Sequence, residues 1–328
     1  MTGRSVLWLT PDKPDDISVG RDRIATHLEN EGLTVEVRGT TAMTVAKSLR
    51  ERGRFDVVVG TTRLGAITAL CVSKAHGIPL VVDHVDPISQ LRETESAPVV
   101  ALVERLENLA FRLADHVFYV YPEEAARIQA RASSSTETDL GVDYDRFATP
   151  DESVVDAARE RLGTVPSNLA VYVGGLEPMY SVEAMLEGVA CLDDWTLVVA
   201  GAGSLEPQVE AAAERSVEIR FLGTVPHEEV PGLLQLADVG LSLVDDPHTL
   251  KVLEYGAAGL PVVQLAGRAE SRFGGLVEYC TTDPESVAGA IERADRSGKG
   301  QALQTYVAGF DWREITRDYV LALESITA

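Results

Sequence analysis

Long hydrophobic runs are missing from this chain: its apolar stretches reach four to six residues, far short of the ~20 that a bilayer-spanning helix needs. A soluble protein is expected. The N-terminus offers MTGR and then the strand-like SVLWLT, without a longer apolar region or a small-residue cleavage site, which argues against a secretory signal and for a cytoplasmic location. Cysteine is scarce as well. Cys71, Cys191 and Cys280 lie far apart in or beside apolar segments, without the close pairs of metal or redox motifs, so they are expected to be buried, inert thiols. The six histidines have no HxxxH or carboxylate-paired spacing, so no metal site is expected. The turn after the first strand, TPDKPDDISVG, lacks the Gly-x-Gly-x-x-Gly that lets a pyrophosphate approach a helix N-terminus, which sets a dinucleotide dehydrogenase aside. Lysine is rare, five of 29 basic residues, against 51 acidic ones. Nucleic acid is therefore excluded as a partner, since binding it depends on clustered cations. A hydrated acidic surface of net charge -22 suits a salt-rich, halophilic cytoplasm.

What is present is a repeated rhythm. At 328 residues the chain is too long for one ordinary α/β core and comfortable for two. The runs SVLWLT, TVEVR, DVVVG, PLVVD and HVFYV alternate with helical patterns, and after residue 150 the alternation restarts with LAVYVG, WTLVVAG, VEIRFLG, DVGLSLV and LPVVQL. The fold class is α/β: two doubly wound parallel-sheet domains facing across a cleft, residues 1–147 and 148–310, with 311–328 a terminal helix. The linker is expected between Val142 and Asp151. Open α/β sheets bind ligands at the carboxyl ends of their strands, which directs the search for chemistry to those loops. Charge is unevenly divided, -5 in residues 1–147 and -17 in the rest. The segment KSLRERGR, with Lys47, Arg50, Arg52 and Arg54, reads either as a solvated helix end or as a contact with an anionic membrane.

The most informative stretch is VDDPHTLKVLEYGAAGLPVV, where a strand ends and a polar loop opens a helix. Lys251 and Glu254 share one helical turn there, near backbone N–H groups that favour anions. Lys251 suits a diphosphate, while Glu254 suits sugar hydroxyls, which are donors that a carboxylate accepts. An exposed ion pair on a surface helix is the blander alternative.

This stretch resembles the donor domain of glycosyltransferase family 4, the group 1 glycosyltransferases of GT-B architecture. Three further blocks carry the resemblance: GVDYDRF, VAGAGSLEPQVEAAAE and VEIRFLGTVPHEEVPGLLQLADVGLSLV. It implies a nucleotide-sugar donor substrate, no cofactor, and Asp246 and Glu254 in contact with the donor's sugar and ribose. The first half resembles the acceptor domain through GIPLVVDHVDP and ENLAFRLADHVFYVYPEE, and FDWREITRDYV resembles the crossing helix. The family's diphosphate-binding Arg and Lys are replaced by Gly175 and Tyr180 in VYVGGLEPMYS; each lost contact to an ionised group costs ~1.5 to 3 kcal/mol. Gly174 and Gly175 still permit close backbone approach, so N–H groups are expected to form part of the diphosphate site. On the acceptor side VVDHVDP presents Asp83, His84 and Asp86, with Asp86 the first choice and His84 the second for a base; a cluster that merely caps a turn is the alternative. Ser18, Gly20 and Arg21 fall in the first βα loop, where related enzymes bring a glycine loop close to acceptor and donor; a simple helix start is the alternative reading. Gly201 and Gly203 are expected to serve a tight turn, and His227 to start a helix rather than bind a ligand.

The expected reaction is metal-independent transfer of a hexosyl or glucuronosyl group to a glycan, lipid-linked or glycolipid acceptor, by closure of two domains around donor and acceptor. Lys251 and helix N-termini stabilise the departing diphosphate. Peripheral membrane association accompanies that reading. The rivals are a catalytically silent protein that binds a sugar nucleotide or a partner transferase, and a sugar-nucleotide epimerase.

Overall fold

The computed structural model describes residues 3–11 and 17–327. The chain divides into two compact units, one running from the N-terminus to Gly141 and taking back the residues from Trp312 onward, the other Val142–Asp311. The division lies just before the expected linker. Its reason is local: Val142 donates its N–H to the Phe310 carbonyl at 2.8 Å and bridges to Asp311, so the second unit closes on itself.

The first unit carries β1 (Ser5–Leu9), α1 (Ile17–Asn30), β2 (Thr34–Arg38), α2 (Ala42–Arg50), β3 (Val57–Thr61), α3 (Thr62–His76) and β4 (Leu80–His84). Two consecutive helices follow, α4 (Ile88–Thr94) and α5 (Ala97–Leu113), then β5 (His116–Tyr119), α6 (Ala125–Gln129) and β6 (Ser135–Glu137). All neighbours pair parallel in the order β2-β1-β3-β4-β5-β6. Because side chains alternate along a strand, the sheet builds two apolar layers. Leu7, Leu9, Val58 and Val82 meet Phe111 on one face, and Val6, Trp8, Val59 and Phe118 meet Tyr319 on the other.

The second unit holds α7 (Tyr144–Ala148), α8 (Glu152–Leu162), β7 (Asn168–Val173), α9 (Val182–Val189), β8 (Trp195–Ala200), α10 (Glu206–Arg215), β9 (Ile219–Phe221) and α11 (Val230–Gln235). It continues with β10 (Val239–Ser242), α12 (Leu250–Ala257), β11 (Val262–Leu265), α13 (Glu270–Phe273), β12 (Glu278–Cys280), α14 (Pro284–Ser297) and α15 (Gly300–Val307). Its sheet order is β12-β11-β10-β7-β8-β9, again all parallel. The direction of winding therefore reverses between β7 and β10.

The last helix, α16 (Trp312–Thr327), belongs to the first unit and packs on α1. Its Trp312 ring lies where a Cβ on Gly20 or Gly141 would fall 2.7 or 2.4 Å away, so both positions are kept open by the absence of a side chain. Gly20 and Arg21 thus sit inside α1 rather than in a loop, and Gly20 serves packing; residues 12–16 and the side chain of Ser18 lie outside the described residues.

Two cysteines depart from expectation. Cys280 is buried, and burial pushes its thiol up to about 12, but Cys71 on α3 and Cys191 after α9 are exposed. Among the described residues no helix is long and apolar enough to cross a membrane.

Candidate functional site

In the second unit the reversal of winding sets the ends of β7 and β10 side by side, the place where a doubly wound sheet leaves a crevice. After β7 come Gly174 and Gly175; after β10 comes the loop from Asp245 to Thr249 that leads into α12. Of the residues read from the sequence, Gly174 and Lys251 meet here, while Asp246 lies on the loop and Glu254 on α12. Asp246 folds back on its own loop, its Oδ1 accepting from the His248 N–H at 2.8 Å, and Asp245 braces the same loop by accepting from the Arg268 N–H at 2.7 Å.

Lys251, in the first turn of α12, does not stand free in solvent. Its Nζ lies 4.0 Å from the centroid of the Tyr180 ring and 5.6 Å from that of Tyr172, a cation held over two aromatic faces. Its methylenes run where a Cβ on Gly174 would come within 2.2 Å of Cε, and Gly174 has φ +152°, so any side chain there displaces Lys251. Burial, with Tyr255 and Tyr180 beside it, pushes the Tyr172 phenol well above its ordinary range, and its hydroxyl donates to the Gly175 carbonyl at 2.5 Å. Gly175 itself faces Tyr180, whose ring edge would lie 3.1 Å from a Cβ. The two residues that replace the expected cations therefore lie against each other, and one of them, Tyr180, lies under Lys251. Gly201 and Gly203 interlock with this loop; a Cβ on Gly201 would meet the Gly174 carbonyl oxygen at 1.8 Å. The crossing of the two loops is backbone on backbone, so these glycines serve the approach of a second loop.

Glu254, one turn further along α12, pairs with the His227 Nε2 at 2.9 Å, and the His227 ring stands edge-on to Phe147 at 5.8 Å. His227 precedes α11, but its side chain belongs to the site, which sequence reading missed. Glu254 is 27 residues away, and only the parallel sheet brings the two together.

In the first unit the VVDHVDP residues separate. Asp83 is fully buried and accepts from the Arg21 Nε at 2.7 Å and Nη2 at 3.0 Å, from the Tyr319 hydroxyl at 2.8 Å and from the Thr61 hydroxyl at 2.8 Å. His84, next along the strand, points to the opposite face. It is 1% exposed, lies edge-on to Phe111 and faces Glu124 Oε2 at 3.3 Å and Glu107 Oε1 at 3.9 Å. Buried among carboxylates in that way it has no route to a solvent-borne hydroxyl. Burial alone would raise Glu124, yet hydrogen bonds from His84, the Ile88 N–H and Arg127 hold its carboxyl at about 2.

Asp86 is placed differently. It follows β4 in a turn clamped by Arg63, whose Nη2 donates to the Asp86 and Pro87 carbonyls at 3.1 and 2.6 Å. Its carboxylate keeps 17% of its surface in solvent, with Arg63 Nη1 3.8 Å from Oδ2. Partial burial raises its pKa above the ordinary carboxylate value, against the opposing pull of Arg63, His84 and Arg21. That is the condition of a carboxylate able to accept a proton. Among the described residues no group of three or more His, Cys, Asp or Glu is arranged to hold a metal ion.

Comparison with known proteins adds an independent line. A family model described as glycosyl transferases group 1 matches residues 167–295, and one described as a glycosyl transferase 4-like domain matches 16–141. A D-inositol 3-phosphate glycosyltransferase of Mycolicibacterium gilvum is 28% identical over 189 residues, 52% of this chain; the match spans 42% of that relative's own length. Among solved structures, Anabaena HepE in complex with UDP superposes with a TM-score of 0.78 at 20% identity, covering 98% of this chain and 100% of the other. Sucrose-phosphate synthase from Thermosynechococcus elongatus gives 0.79 at 14% identity, over 98% and 99% of the two chains.

Proposed function

Since the chain belongs to the group 1 glycosyltransferases and has their two-domain GT-B fold, we propose that it transfers a hexosyl or glucuronosyl group from a nucleotide-sugar donor to a glycan, lipid-linked or glycolipid acceptor. The observation that supports this reading is the close approach of Lys251 to Gly174 at the reversal point between β7 and β10, with Asp246 on the loop that leads into α12 and Glu254 on the same helix as Lys251. Lys251 takes the diphosphate and stabilises the charge that grows on it as the glycosidic bond breaks. Tyr172 and Tyr180 hold the lysine in place. Glu254 accepts from ribose hydroxyls after parting from His227, and Asp246 orients the donor sugar. Asp86 accepts the proton of the acceptor hydroxyl, a role its raised pKa supports; His84 only braces that turn. The departing diphosphate is stabilised without a metal, and activity is expected to survive EDTA.

The enzyme works in the cytoplasm, with peripheral association at the inner face of the membrane. Lys47, Arg50 and Arg52 are the exposed contributors from the basic segment, because Arg54 is engaged by Glu36 at 2.5 Å and Glu51 at 2.6 Å. The test is release of nucleoside diphosphate from UDP- and GDP-sugars when membrane or glycan extracts are added. Release that depends on acceptor supports transfer; release from no donor with any acceptor contradicts it. The second reading, a catalytically silent donor-binding protein, is favoured by Gly175 and Tyr180 standing in for two cations. It is distinguished by tight donor binding without turnover.

A further inference from the structure

Helix α5 exposes an apolar stripe that nothing in the site accounts for. Val99, Leu102, Leu106, Leu109 and Leu113 recur at alternating three- and four-residue steps along one side and are each between 36% and 59% exposed. Its other side, with Val100, Ala110 and Phe111, is the face that enters the core. One edge of the stripe is formed by the exposed Arg105 and Arg112. The helices packed alongside repeat this character: α2 lies on α3, and α3 on α5. Met43 on α2 and Leu64 on α3 are exposed apolar residues, at 81% and 52%.

The charge on this layer runs opposite to the rest of the chain. Lys47, Arg50, Lys74, Arg105 and Arg112 are exposed on α2, α3 and α5. The same three helices contain two acids. Glu107 is buried, and Glu104 is partly covered and paired with Arg92 at 3.4 Å. A face with exposed bases and no fully exposed acid, on a chain of net charge -22, is unlike a random sample of its surface.

We infer that the α2, α3 and α5 layer is a docking face for an anionic lipid bilayer, with α5 lying in the interface plane and its leucine stripe entering the headgroup region. A helix of this kind combines an apolar stripe with flanking cations that reach lipid phosphates. A second copy of the chain is the weaker occupant, because two-fold pairing would oppose this basic face to itself. The inference deepens the reading of a membrane-borne acceptor and rests on it for its purpose, but vesicle binding is measured with no sugar present, so the two fail separately.

The experiment is flotation of the full chain with vesicles of phosphatidylcholine alone and of equal parts phosphatidylcholine and phosphatidylglycerol. The wild type is expected to float with the anionic vesicles. Leu102→Ser/Leu106→Ser/Leu109→Ser is expected to lose at least about tenfold in partition, and Arg105→Glu/Arg112→Glu to lose the preference for anionic lipid. Both variants should keep wild-type circular dichroism and donor binding, since none of these residues touches the donor loops. Wild type left behind by anionic vesicles overturns the inference. So does a wild-type dimer by light scattering that the serine variant makes monomeric while vesicle binding is unchanged.

Discussion

The carboxylates near β4 show how much one step along a strand decides. Asp83 and His84 turn to opposite faces, and each is absorbed by a buried network, while Asp86 lies beyond the strand where its carboxylate reaches solvent. With its pKa held up by burial, Asp86 loses its basic form at a higher pH than an ordinary carboxylate as the solution is acidified. The acid limb of kcat/KM is expected there. Asp86→Asn should remove that limb and lower kcat on the order of a hundredfold or more; a pH–rate profile checks both. Glu124 gives the opposite sign. Its carboxyl is held at about 2, below the ordinary 4.5, so its contribution to stability is complete above 4.5 and is lost as pH falls from there toward 2. Glu124→Gln is expected to cost about 3 kcal/mol at neutral pH and to flatten stability over that window, read from urea unfolding. Tyr180→Ala should weaken donor binding severalfold, by the ~1 kcal/mol of a cation–π contact that keeps Lys251 in place.

At the scale of elements the strands with alternating or continuous apolar patterns were legible, and so was the terminal helix. The missed strands are the short polar ones. Ser135–Glu137 pairs at the sheet edge although its sequence is SSSTETD, because His116 binds the Ser134 and Thr136 hydroxyls at 2.9 and 3.1 Å across the pairing. Glu278–Cys280 is three residues long and anchored from outside, where Lys299 and Arg293 reach Glu278 at 2.7 and 3.1 Å. Neither support is a local signal. Asp246, Lys251 and Glu254 stand out in the sequence because nine consecutive residues, from the loop after β10 into α12, hold all three. His227 was not readable, because its partner lies beyond β10. The pairing of Tyr180 with Lys251 was hidden for the same reason, and Tyr180 registered only as a lost cation. Helix α16 makes the element-scale prediction. Its Tyr319 hydroxyl completes the Asp83 network, so Tyr319→Phe should cost ~1 to 2 kcal/mol of stability, and Gly141→Ala more, since the new methyl displaces Trp312. Denaturant midpoints of the two variants test this order.

For the whole molecule the dominating quantity is charge. A net -22 repels itself at low ionic strength, and the repulsion is screened within ~3 Å in 1 M salt. The melting temperature is expected to climb with KCl up to molar concentrations; a flat or falling curve would mean that the acidic surface does not limit stability. The same screening sets the condition for studying the donor site, which carries Asp246 and Glu254 close to the place assigned to a diphosphate. The central claim is that this site binds a nucleotide sugar through Lys251 and Glu254. Its most direct measurement is titration calorimetry in molar KCl with UDP- and GDP-sugars, comparing wild type with Lys251→Ala/Glu254→Ala. Saturable binding of at least one donor by the wild type, lost in the double variant, is the predicted result. Binding that persists undiminished in the variant, or no binding of any donor by the wild type, would contradict it.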